Sequence, residues 1–262
     1  MTSRYTKPCR NILGSLSCLL LISACSSTDT TPGTEVHAHV THLPPATTVT
    51  ETATPGKQFV NDNSVTIELT SAYLTLSEMD IRTNCSASPF ARLLDAVYEL
   101  VVPVAHAHTE STPTKLGEPL VVNVLNPDTE ELEFGHFSPP PASYCGITVH
   151  MHPADADARG LPTTFSMVGL VLRIEGSYDD GLGGGPIAFT VETAVEPEHA
   201  DVAFPAPIVL SASNLSDEAH LNIEYQTWFN GFDAATMAAL DSGDATALTQ
   251  LLDNITASVH HD

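Results

Sequence analysis

Short runs of alternating apolar and polar residues, separated by turn-forming residues, recur through most of this chain. In the first of them Val65, Ile67 and Leu69 are separated by polar residues. A period of two places every second side chain on one face of a strand. Similar runs are Leu120–Leu125, Tyr144–Met151, Val168–Gly176, Ile187–Thr193, Ile208–Ala212 and Leu221–Phe229. Short strands with frequent turn signals predict a mainly β fold, an antiparallel β-sandwich.

Three helical segments are expected beside these strands. Apolar residues at helical spacing between two prolines predict a short helical insertion, Phe90–Val102. Near the C-terminus, Asp233–Leu240 and Ala245–Leu252 predict two short helices, with Asp233 and Asp244 as N-caps. A glycine-rich stretch after the strand Val168–Gly176 predicts a hairpin turn.

The N-terminus is typical of an exported protein. Basic residues precede the apolar run Ile12–Ile22, which is too short to span a bilayer. The sequence Ile22-Ser23-Ala24-Cys25 resembles the lipobox of bacterial lipoproteins. This resemblance implies a signal peptide over residues 1–24, acyl chains on Cys25 and, because Ser26 rather than Asp follows, attachment to the outer membrane. An ordinary secretory signal with an incidental cysteine is the alternative.

The rest of the chain is predicted to contain a tether and one domain. Residues 25–57 are rich in Thr, Ser, Pro and Ala and predict a flexible tether, which leaves residues 58–262 for the β-sandwich. Cys85 and Cys145 are the cysteines that follow Cys25. In an oxidising compartment we expect these two to form a disulfide, the alternative being two free thiols.

Charge and motif content exclude several functions. The formal net charge is −23, so phosphate backbones would repel the chain and we expect no nucleic-acid partner. Cations are natural counterparts of such a chain, although acidity also serves solubility. Sequence motifs of metalloproteases, serine hydrolases, phosphate loops and dinucleotide sites are missing. We therefore expect a protein that is not an enzyme and has no catalytic residue, a hydrolase being the least favoured alternative.

Histidine is the residue type that is both abundant and patterned. It forms three His-x-His pairs, and on a strand such a pair can present two imidazoles to one metal ion, a ligand type that suits copper and zinc. We predict that His150 and His152 bind the metal, because the apolar residues of Tyr144–Met151 occupy the other face of that strand. Asp155 follows as a further ligand, and His106 and His108 are predicted accessory ligands.

The remaining histidines receive a weaker interpretation. His37, His39 and His42 lie in the predicted tether, where a cluster without fixed geometry would bind metal weakly. The isolated residues are interpreted as ordinary surface histidines: His136, His199 and His220.

A C-terminal stretch carries a second resemblance. The sequence Trp228-Phe229-Asn230-Gly231-Phe232-Asp233, together with Val65–Ile81 and Ser143–His152, resembles exported β-sandwich proteins of methanobactin-type copper gene clusters, which are periplasmic partners of di-haem enzymes. The resemblance implies copper handling and assigns no functional residue to this chain. From the pattern alone, Trp228 is predicted to be an aromatic residue at the rim of the sheet.

The sequence therefore predicts an outer-membrane-anchored, non-enzymatic lipoprotein that binds copper or zinc through histidine pairs. The alternative is a structural or interaction lipoprotein without metal, which docks a protein or glycan partner through the insertion Phe90–Val102.

Overall fold

The computed structural model describes residues 33–42, 50–51, 56–83, 111–128, 130–181 and 183–261. The strands, in chain order, are β1 (Glu35–Thr41), β2 (Thr50–Glu51), β3 (Lys57–Val60), β4 (Thr66–Leu76), β5 (Glu78–Arg82), β6 (Lys115–Leu116), β7 (Leu120–Asn123), β8 (Leu132–Phe137), β9 (Ser143–His150), β10 (Leu172–Asp179), β11 (Ile187–Thr193), β12 (Ala200–Val209), β13 (Ser216–Ile223) and β14 (Val259–His261). A 3₁₀ helix, Tyr225–Phe229, precedes the helices α1 (Ala234–Asp241) and α2 (Ala245–Ala257).

The strands form three sheets. Sheet 1 has the order β14-β13-β1-β8, and sheet 2 has the order β11-β10-β4-β3-β2 with β7 also paired to β4. Sheet 3 has the order β12-β9-β5-β6. One continuous core takes fully buried residues from every sheet, among them Val40, Leu74 and Ile147. The predicted mainly β, sandwich-like fold with two short C-terminal helices is confirmed. The pairing of β1 with β13 is parallel, which the purely antiparallel prediction missed.

The strand β1 lies where the sequence predicted a flexible tether. It pairs with β13 on one side and β8 on the other, and Val36, Ala38 and Val40 are fully buried. The tether prediction is therefore wrong for residues 35–41, and β3 begins at Lys57, ahead of the predicted domain boundary. Every second residue of β1 is apolar, and this alternation outweighs the Thr- and Pro-rich composition around it.

In the C-terminal part of the chain the predicted N-caps of the two helices are confirmed, whereas the predicted position of Trp228 is not. The carboxylate of Asp233 accepts the N–H of Thr236 and that of Asp244 accepts the N–H of Thr246, as N-caps do. The strand β13 ends at Ile223, and the chain turns into the 3₁₀ helix. Trp228 is consequently fully buried, with its indole N–H donated to Ser258, so the prediction of a rim aromatic is wrong.

A buried polar network joins the end of β1 to sheet 2. The Nε2 atom of His42 donates to the backbone oxygen of Asn126, 2.9 Å away, and the Lys57 ammonium donates to the same oxygen and to Asp128. The hydroxyl of Tyr225 also donates to Asp128. Burial lowers the pKa of His42 below its ordinary value, against the opposing effect of the bond to Asn126.

The buried position of β1 can be tested with a single substitution that shortens one of its core side chains. We expect Val40→Ala to lower the free energy of unfolding by about 1–3 kcal/mol, because a fully buried side chain loses its contacts. Urea denaturation followed by circular dichroism measures the change. The same substitution at the exposed Val195 is the control, with an expected change below about 0.5 kcal/mol. Equal, small changes at both positions would contradict the buried position of β1.

His42 should make stability depend on pH in a defined direction. In the unfolded chain its imidazole takes up a proton near the ordinary value of 6.5, and in the folded chain only at lower pH. The unfolded state binds more protons between these two values, so the free energy of unfolding is highest above pH 6.5 and falls as the pH decreases below it. Urea denaturation at several pH values should show a smaller acid loss in His42→Gln than in the parent protein. Parallel pH profiles would rule out this contribution.

Candidate metal centre

Pairing between β5 and β9 brings two carboxylates beside a histidine. Glu78 lies opposite His150, and Asp80 lies opposite Thr148. The intervening residue of β5, Met79, is fully buried in the core. Because strand residues alternate between faces, Glu78 and Asp80 share the outer face with His150.

The three side chains converge on one small volume. The Nε2 atom of His150 is 3.3 Å from Oδ2 of Asp80 and 3.9 Å from Oε1 of Glu78. One ligand atom from each residue lies within 4.8 Å of the others. A metal ion holds such atoms at about 2.0–2.2 Å from itself, which places neighbouring ligands about 3–4 Å apart. Small side-chain rotations would therefore close this cluster around an ion.

Two further imidazoles surround His150. The ring of His152 stacks on that of His150 with centroids 5.9 Å apart, and the ring of His199 lies 5.6 Å from that of His150. The Nδ1 atom of His152 is 3.1 Å from a carboxylate oxygen of Glu196. Glu196 therefore adds a further carboxylate beside this group of imidazoles.

Two cations form ion pairs with carboxylates near His150 on sheet 3, and one of these carboxylates belongs to the candidate centre. The Lys115 ammonium forms an ion pair with Glu78, which is only 6% exposed. Arg82 pairs with Asp201 at 2.9 Å, and this carboxylate also accepts the Thr148 hydroxyl. A metal ion at Glu78 would have to displace or share the contact with Lys115, because both are attracted to the same oxygen.

The structure sorts the residues that were predicted to bind metal. It places His150 and His152 together on the outer face of one strand end, and it brings His199 to them. Asp155 is not part of the group that includes His150; its carboxylate accepts the N–H of Asp157 in a local turn. The carboxylates that lie beside His150 belong to Glu78 and Asp80 instead.

Several predicted features lie outside the described residues: Cys25, Cys85, Phe90–Val102, His106 and His108. Cys145 is disulfide-bonded, and its partner also lies outside them, so the pairing with Cys85 stays a prediction. Accessory ligation by His106 and His108 likewise stays a prediction.

Sequence reasoning missed Glu78 and Asp80. The signal was present, because Glu78 and Asp80 alternate with Met79 and Ile81 directly after a confirmed strand. Only the pairing of β5 with β9 shows that their carboxylates face His150, and local pattern does not specify which strands pair.

Comparisons with other proteins leave the site to be interpreted from its own residues. No protein-family model, no curated protein and no solved structure matches the chain. Among the residues that the structure describes, no helix has the length and apolarity needed to cross a membrane.

Proposed function

We propose that this protein binds a transition-metal ion, copper or zinc, at Glu78, Asp80 and His150, without catalysing a reaction. His152, whose ring stacks on that of His150, is the proposed additional ligand. The convergence of the three ligand atoms within 4.8 Å of one another is the observation that carries the proposal. We propose further, from the pattern that ends at Cys25, that the protein is a lipoprotein anchored to the outer membrane.

The types of ligand favour a transition metal over calcium. Imidazole nitrogen with carboxylate oxygen is a ligand set that suits zinc and copper. Calcium needs about six to eight oxygen atoms, and His150 supplies nitrogen instead. The formal net charge of −23 adds a general attraction for cations.

Substitution of single ligands tests the site. In calorimetric titration of the whole protein with zinc or copper under chelator competition, Asp80→Asn should weaken one binding site at least about tenfold. His150→Ala should remove that site, because it deletes the single nitrogen in the converging group. The protein should remain folded in both variants, as circular dichroism can check.

Asp155→Asn is the matched control for Asp80→Asn. It makes the same chemical change on a carboxylate outside the converging group, so metal affinity should stay within about twofold of the parent. Equal effects of the two substitutions, or unchanged binding in His150→Ala, would overturn the proposed centre.

The ion pair with Lys115 generates a separate prediction. Replacing Lys115 by Gln removes a positive charge that contacts Glu78, so the metal should bind several-fold more tightly. Lys115→Arg keeps the charge and is the matched control, for which we expect no such gain. Weaker binding in Lys115→Gln would show that Glu78 is not a ligand in the bound state.

The alternative function, docking of a protein or glycan partner through Phe90–Val102, concerns residues outside the described ranges and stays a prediction.

A further inference from the structure

Four histidines form a row on the outer face of sheet 1, whereas the centre at His150 lies on sheet 3. His37 and His39 alternate with the buried residues of β1 and so share its outer face. The sheet register sets His39 opposite His220 on β13 and His37 opposite His136 on β8. We call His37, His39, His136 and His220 the histidine ladder.

An irregularity in β8 brings acidic residues to the same face. His39 pairs with Glu133 while Ala38 pairs with Gly135, so Phe134 is an extra residue on β8. The Phe134 side chain is buried in the core. Glu133 and His136, three residues apart, would point to opposite faces of a regular strand, and the bulge allows both to face outward.

Glu131 bridges the closest pair of the ladder. The rings of His39 and His220 stack with centroids 5.2 Å apart and an interplanar angle of 16°. One carboxylate oxygen, Oε1 of Glu131, is 2.9 Å from Nδ1 of His220 and 3.5 Å from Nδ1 of His39. Two imidazole nitrogens thus converge on a single carboxylate oxygen.

The other half of the ladder repeats this arrangement more loosely. The ring of His37 lies 6.0 Å from that of His136, and its Nδ1 atom is 3.9 Å from Oε1 of Glu133. His37 and His39 are themselves 6.4 Å apart between ring centroids. The face therefore offers its best set of ligands at His39, His220 and Glu131.

The position of these residues favours ligand binding over a role in packing. The buried face of β1 already supplies the core contacts through Val36, Ala38 and Val40. The side chains of His39 and His220 are 19% and 38% exposed, so an ion can reach them from solvent. A structural histidine in the core would instead be enclosed, as His42 is.

We propose that His39, His220 and Glu131 form a second site for a divalent transition-metal ion. Two imidazole nitrogens and one carboxylate oxygen are the ligand set of open zinc sites and also suit Cu(II). Three protein ligands leave a coordination position for water or an exchanging ligand. This site has its own ligands and does not depend on the proposed centre at His150.

The test is metal stoichiometry in four forms of the whole protein. They are the parent, His39→Ala/His220→Ala, His150→Ala/His152→Ala and the combination of all four substitutions. We expect the parent to bind two equivalents of zinc, each double variant one and the combined variant none. For Cu(II), electron paramagnetic resonance of His150→Ala/His152→Ala should show nitrogen coupling that disappears in the combined variant.

A milder variant keeps the test valid if the double substitution in sheet 1 disturbs folding. Glu131→Gln should weaken only the second site, and Glu130→Gln, at the neighbouring exposed position, is its matched control and should leave binding unchanged. Unchanged stoichiometry in a folded His39→Ala/His220→Ala, or equal effects of Glu131→Gln and Glu130→Gln, would overturn the ladder site. The zinc stoichiometry of His150→Ala/His152→Ala tests the proposed centre at His150 independently of the ladder site.

Discussion

The insertion of β1 between β13 and β8 is the constraint on which both the core and the histidine ladder depend. All seven residues of β1 are in register with β13, and the pairing is parallel. A parallel partner cannot be reached through a tight turn, and here the two strands lie near opposite ends of the chain. Sheet 1 is therefore complete only when β1, from the N-terminal part of the chain, pairs with β13, from the C-terminal part. Any tether to an anchor ends before β1, and does not extend to residue 57.

The network around Lys57 holds this arrangement in one geometry. Lys57 is 2% exposed, and its ammonium is neutralised by Asp128 and lies over the ring of Tyr225 at 4.9 Å from the centroid. Removing two charges from water costs about as much as their attraction returns, so such a pair contributes little net stability compared with apolar packing. Loss of either partner leaves a buried charge, which is strongly unfavourable. Because a shift of these elements would leave a buried charge unpaired, the network holds β3, the loop after β7 and the 3₁₀ helix in fixed positions relative to one another.

The features predicted correctly from the sequence are those that local pattern encodes. The strand Ile187–Thr193 has the bounds expected from its alternation, and Asp244 caps α2 because its side chain reaches backbone N–H groups a few residues away. Trp228 was misplaced because period two was extended beyond Ile223, where the chain changes to a 3₁₀ helix. β1 was missed because composition over a long window obscured the alternation of its seven residues.

The sites were harder to predict, since each depends on strand pairing across long stretches of sequence. Neither His39 with His220 nor Glu78 with His150 forms a spaced motif, and register alone places them side by side. His-x-His pairs identify strands with two imidazoles on one face, and the partners on adjacent strands supply the carboxylates. A pattern search finds half of each site, and the sheet topology supplies the other half.

The two clusters differ in what a metal ion would have to displace. Glu78 is nearly buried and paired with Lys115, so binding there exchanges one cation for another in a setting of low dielectric. Glu131 is exposed and contacts the imidazoles of His39 and His220, so binding on the ladder exchanges these contacts for coordination. Affinity at the centre near His150 should therefore depend more on a competing lysine than affinity on the ladder does. The chain has only nine Lys and Arg against 32 Asp and Glu, so metal ions are natural counterparts for carboxylates that lie beside imidazoles.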